Sequence, residues 1–181
     1  MSDLEGKDWI RQVLDFRKGK DEFFATSHES PLAHSKTHGV KMLRYFPPDP
    51  KYKVHTMLHK YDNPERVSMT TSKGTRQQFH RLGYFEFDIE GRMVNLQAYK
   101  SAERESDELF IPFRDGTSGK ESYAAARYLD IEEKADNNYV IDFNYAYNPY
   151  CAYSEDYVCP LPPKENWLDV KILAGEVNYH D

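Results

Sequence analysis

Cysteine is scarce in this chain: Cys151 and Cys159 are the only two among 181 residues. So few cannot build a disulfide framework, and in a chain without a secretory start they read as free, buried thiols. Their spacing is too wide for a structural zinc site, no nearby histidine completes a ligand set, and no metal is expected. Long apolar runs are lacking too. None approaches the roughly 18 residues of a membrane-spanning helix, and Met1-Ser2-Asp3-Leu4-Glu5 is not a secretory leader. The expectation is a soluble, cytoplasmic protein without a membrane partner. Positive charge is also short, with 24 Lys and Arg against 30 Asp and Glu, a balance that argues against a nucleic-acid partner. There is no repeat, no low-complexity segment and no phosphate-loop signature.

Rings are abundant: 14 Tyr, 10 Phe and 2 Trp give a core rich in aromatics and exclude a disordered chain. A length of 181 residues fits one domain able to bury its own core. The chain divides into a helical segment over 1–25, an ordered connection over 26–51 and a β-rich body over 52–181. Charge is unevenly spread, net +7 over residues 36–81 and net −11 over 82–181, so a basic wall could face an acidic one.

Ser2 and Glu5 have capping-box spacing, and Trp9, Ile10, Val13 and Leu14 follow at helical intervals until Gly19 weakens the pattern. Phe23 and Phe24 then suggest a second short helical turn. The apolar stripe predicts a helix packed on the rest of the fold. From residue 52 the period becomes two. Val54–Leu58 and Val67–Thr71 read as a hairpin, and Phe85–Ile89 and Val94–Ala98 as a second one turning at Gly91. Further strands are expected at Leu109–Phe113, Tyr123–Ile131, Tyr139–Tyr147 and Leu168–Ala174. The predicted fold is mainly β, an antiparallel β-barrel or β-sandwich of about eight or nine strands with an N-terminal helix packed on it.

Polar residues that could carry chemistry cluster after Leu109. Arg114 and Asp115 end a strand and are followed by Gly116, Thr117, Ser118 and Gly119, where a guanidinium fork and backbone donors could share one anion, or the two could pair within a turn. Asp142, Asn144 and Asn148 alternate with apolar residues, a row that either faces water or lines a polar lumen. Such a carboxylate could serve as a general base with amide support. A nucleophilic cysteine would need a base, and His55, His59 and His80 are distant candidates. On a strand, four residues place His55 and His59 about 13 Å apart, too far for both to hold one metal.

These phrases occur in a recognisable order. Tyr45-Phe46-Pro47, Leu109 to Asp115 with Thr117-Ser118-Gly119, Arg127-Tyr128-Leu129-Asp130, Asp142-Phe143-Asn144, Ala146-Tyr147-Asn148-Pro149, Cys151-Ala152-Tyr153-Ser154, Cys159-Pro160-Leu161-Pro162-Pro163, Glu165-Asn166 and Ala174-Gly175-Glu176 resemble the bacterial and archaeal family of unknown function numbered 1684. The likeness spans nearly the whole chain. It departs at Ala124-Ala125-Ala126, where the family tends to carry glycine. The resemblance supplies no reaction and no cofactor. It does imply a site among the matched polar residues Arg114, Asp115, Thr117, Arg127, Asp142, Asn144, Asn148 and Glu165, walled by Tyr123, Tyr128, Tyr147 and Tyr153.

Three functions fit this reading. One is a pocket for a small polar or anionic metabolite, with Arg114 and Arg127 holding charge and the segment from Cys151 to Pro163 closing the mouth. Another is a hydrolase-like enzyme with Asp142 or Asp115 as base and an arginine stabilising an anionic transition state. The third is a protein-interaction module using a tyrosine-rich face.

Overall fold

Trp9, Val13, Arg17, Lys20 and Phe24 recur at steps of three or four residues on the buried or half-buried side of one helix, α1 (Asp3–Thr26). The structure, a computed structural model, describes residues 3–33 and 42–180. Ser2, the expected cap, lies outside the described residues, as do residues 34–41 of the connection. α1 runs through Gly19, which faces open space, so the helix loses only about 1 kcal/mol there rather than breaking. Phe23 and Phe24 therefore close the same helix and do not start a second one. Ile10 and Leu14 are 38% and 49% exposed, off the packing face where the sequence pattern had placed them. Two cations, Arg17 and Lys20, hold those inner positions instead.

The body is one antiparallel sheet of six strands among the described residues: β1 (Lys53–Thr70), β2 (Arg76–Ile89), β3 (Arg92–Ser101), β4 (Glu108–Phe113), β5 (Arg127–Glu132) and β6 (Asn138–Asp142). Their order is β5-β4-β3-β2-β1-β6. The outer strands approach one another through Tyr128 of β5 and Tyr147, whose backbone N–H groups donate to each other's carbonyls at 2.8 and 3.0 Å. That bridge makes the sheet a nearly closed barrel, and its interior holds Phe85, Leu96, Ile111, Phe113, Ile141 and Phe143.

Six strands are found, not eight or nine, and three local events account for the difference from the expected runs: a merger, a shortening and a loss. The two runs at 54–58 and 67–71 are one long β1, because the register slips between Lys60 and Glu65 and the Asn63-Pro64 pair is absorbed as a bulge rather than a turn. Opposite it, Gly83 is obligatory, since a Cβ there would lie 2.4 Å from the His59 carbonyl oxygen. Tyr139–Tyr147 stops being a strand at Asp142, whose side chain accepts from the Asn144 N–H at 3.0 Å and starts a 3-10 turn over Phe143–Tyr145. Asp142, Asn144 and Asn148 are therefore not a row on one strand face.

Leu168–Ala174 is the third event. Ile172 and Ala174 are fully buried, as alternation predicts, yet the segment has no ladder partner. Its first half meets only isolated backbone partners, the Leu168 N–H donating to the Arg114 carbonyl at 2.8 Å and the Val170 carbonyl accepting from the Gly116 N–H at 2.7 Å. Its second half is held by side chains: the Ile172 N–H donates to Asp115 at 2.7 Å, and the Ile172 and Ala174 carbonyls accept from Arg127. By contrast the Phe85–Ile89 and Val94–Ala98 hairpin forms as expected, with Glu90 and Gly91 both at positive φ in its turn. Part of the charge split is paired: Lys51 with Glu90, Lys60 with Glu133 and Arg81 with Glu165 join the basic segment to the acidic one. Exposed pairs of this kind stabilise by about 0–1 kcal/mol each.

Candidate functional site

The predicted site residues separate into four places. Asp115, Thr117 and Arg127 form a buried latch at one end of the barrel. Arg127 and Asp115 lie 3.2 Å apart with side chains 1% and 0% exposed. Thr117 Oγ1 donates to Asp115 at 2.8 Å and shares a hydrogen bond with Ser122 Oγ at 2.7 Å. Burial works against the charged guanidinium and the adjacent carboxylate offsets it. The product of this latch is a fixed backbone over 172–176.

Asp142 and Asn144 form the dock for α1. Trp9 Nε1 donates to Asp142 at 2.7 Å, Asn144 exchanges hydrogen bonds with the Asp49 backbone, and Arg17 donates to the carbonyls of Phe46 and Asn144 at 2.8 and 3.3 Å. Arg114 and Glu165 lie elsewhere again. The Arg114 guanidinium stacks 4.6 Å from the Trp167 ring, and Glu165 accepts from Arg81 and Tyr99 at 3.3 and 3.2 Å. Neither Asp115 nor Asp142, the two carboxylates considered as bases, lines the cleft described next.

Asn148, Tyr153, Tyr128 and Tyr147 converge on the fourth place, between α1 and the chain after β6. Here Glu176, 1% exposed, accepts from Lys20, the Tyr153 hydroxyl and the Asn148 N–H. Gly175 delivers it: φ is +77° and a Cβ would meet the Ala146 carbonyl oxygen at 2.5 Å. Lys20 stands at the inner end of a cleft of about 480 Å³ whose walls include Phe16, Phe24, Tyr128, Tyr147, Tyr150 and Tyr157. Its ammonium lies 5.0 Å from the Tyr147 ring and 5.3 Å from the Phe24 ring, and among the described residues it donates to Glu176. An ammonium has three donors, so this one retains capacity for a further acceptor.

The walls pack ring against ring. Phe24 meets Tyr153 edge-on at 4.9 Å, Tyr150 meets Tyr157 at 5.1 Å, and Tyr128 meets Tyr147 at 5.7 Å. Tyr128 donates to the Pro160 carbonyl and Tyr147 to Asp130. Burial pushes both phenols well above the ordinary tyrosine range, so they act as neutral donors. Tyr123, the remaining predicted wall, sits behind the cleft with its hydroxyl 3.8 Å from Cys151 Sγ.

Sequence reasoning missed Lys20 and Glu176 as a pair and Phe24, Tyr150 and Tyr157 as walls. The signal for Lys20 was present: continuing the steps from Trp9 through Val13 places a cation on the packing side of α1, where charge needs a partner.

Residues 39–177 match the family model described as "Protein of unknown function (DUF1684)". No curated protein matches. Among solved structures, the chain is similar to an uncharacterised protein of Haloarcula marismortui determined by solution NMR, with 36% identity, a TM-score of 0.75, and coverage of 99% of this chain and 100% of that one. Across the described residues no helix is long and apolar enough to cross a membrane, and none of their His, Cys, Asp and Glu side chains form a group of three or more that could hold a metal ion.

Proposed function

The chain belongs to the DUF1684 family, and from its cleft we propose that it binds a small molecule with a flat apolar body and an anionic group. The carrying observation is Lys20, 14% exposed at the inner end of an aromatic cleft and held there by the buried Glu176. A volume of about 480 Å³ lies within the ~300–1,000 Å³ of small-ligand sites, and such sites pair apolar walls with few placed polar groups. The ligand's rings pack against Phe24, Tyr128, Tyr147 and Tyr150, and its anionic oxygen takes a free N–H of Lys20. The buried latch of Arg127, Asp115 and Thr117 supports the cleft by fixing the irregular segment that carries Glu176. A cytoplasmic location suits this reading, which needs no membrane.

Isothermal titration with 2-naphthoate, 2-naphthylmethanol and 2-naphthylmethylamine tests it. The carboxylate should bind about tenfold tighter than the alcohol, a gain of roughly 1.4 kcal/mol, and the amine weakest. Equal affinities, or an amine that binds best, would overturn the proposal.

A further inference from the structure

Cys151 and Cys159 are both free thiols and they touch. The Cys151 N–H donates to Cys159 Sγ at 3.4 Å, which sets the second sulfur against the backbone of the first cysteine. Neither is left to drift into this contact. Cys159 is pinned from both sides by the turn after β1: its N–H donates to Ser72 Oγ at 3.1 Å and its carbonyl accepts from the Ser72 N–H at 2.8 Å. Cys151 is fixed by the 3-10 turn Tyr150–Ala152. The Tyr123 hydroxyl lies 3.8 Å from Cys151 Sγ, while Cys159 forms part of the cleft wall. Cys151 is half-buried and Cys159 is buried, so the more exposed of the two cysteines is the one beside the Tyr123 hydroxyl.

We propose that Cys151 and Cys159 form a reversible dithiol/disulfide couple whose oxidant is a small hydroperoxide. The Cys151 thiolate attacks one peroxide oxygen, the O–O bond breaks, and the departing hydroxide is neutralised by the proton that the thiol released on ionising, leaving a sulfenic acid on Cys151 and one water. Cys159 sulfur then attacks that sulfenic sulfur. The S–S bond forms, the S–O bond breaks, and the leaving hydroxide takes the Cys159 proton as water. The peroxide is reduced by two electrons and the dithiol is oxidised by two. A thiolate, not a thiol, is the nucleophile, and the donors around Cys151 hold its pKa down to about 6 while the shared hydrogen bond pushes Cys159 up. Burial opposes the first shift and reinforces the second. The couple is independent of the proposed ligand.

The test treats reduced full-length protein with one equivalent of hydrogen peroxide at pH 7 and maps the peptides. The expected result is a peptide linking Cys151 to Cys159, removed by dithiothreitol. In Cys159→Ser the same treatment should leave Cys151 trapped by dimedone as its sulfenic acid, whereas Cys151→Ser should give no such adduct. Iodoacetamide should label Cys151 at least about tenfold faster than Cys159 at pH 7, since only Cys151 is largely thiolate there. Unchanged thiols, disulfide-linked dimers, or equal labelling of the two cysteines in the wild type would overturn the proposal, and these wild-type readouts stand even if a variant fails to fold.

Discussion

Lys20 and Glu176 are separated by 156 positions in the chain and form a single ion pair between α1 and the C-terminal segment, with the lysine 14% and the glutamate 1% exposed. The pair closes the inner end of the aromatic cleft and joins the helix to the barrel. Removing one charge of a buried pair leaves the other without compensation, at about 3–5 kcal/mol. Lys20→Met should therefore destabilise the fold substantially, and Lys20→Met with Glu176→Gln should recover much of the loss. Urea unfolding of the two single variants and the double variant measures the coupling, and strictly additive losses would contradict it.

Arg127→Met should cost about 3–5 kcal/mol, because Asp115 stays buried and the carbonyls of Ile172 and Ala174 lose their donor. The same change at Arg114, which stacks on a half-exposed Trp167, should cost under about 1 kcal/mol. Equal losses at the two arginines would refute the distinction between latch and surface stack.

Asp21 on α1 is held above the usual carboxylate range, first by partial burial and then by the nearby Glu176 charge, with the Leu43 N–H opposing. A carboxyl raised in the folded state favours its protonated form there, so ionisation costs stability as pH rises through the folded value. Asp21→Asn should stabilise the protein at pH 7, and the gain should vanish at acidic pH where Asp21 is protonated. Thermal unfolding at pH 7 and pH 3.5 checks this, and a gain independent of pH would contradict it.

Cys151 titrates the other way. Its folded pKa of about 6 lies below the ordinary thiol value, so its contribution is absent below about 6, grows with pH and is complete only above the unfolded value near 9. Cys159 is raised and acts in the opposite sense above 9. Relative to Cys151→Ser, the wild type should gain stability between pH 6 and pH 9, measured by denaturant midpoints. Parallel curves would show that the donors of Cys159, Tyr123 and Ser72 do not favour the thiolate.

The hairpin of β2 and β3 was legible because each of its levels agrees: strict alternation, apolar residues inside, and Gly91 at the turn. Leu168–Ala174 has the same alternation and the same burial yet is no strand. What separates them is remote, since Asp115 and Arg127 occupy backbone groups that a neighbouring strand would otherwise take, and no local pattern records that. The candidate site shows the same limit. Local spacing marked Asp142, Asn144 and Asn148 as one row, and a 3-10 turn begun by Asp142 itself divides them between the helix dock and the Glu176 cluster. Tyr128 and Tyr147 were recognisable as walls from their ring content, while Lys20 gained its place only through tertiary contact across the whole chain.

The central claim is that the cleft beside Lys20 is where a small anionic aromatic binds, and a two-dimensional amide NMR titration with 2-naphthoate tests it most directly. Perturbations centred on Lys20, Phe24, Tyr128, Tyr147 and Tyr157 are predicted. Perturbations centred on the smaller cavity formed by Arg92 to Asn95 and Trp167 to Val170, or none at saturating ligand, would contradict it.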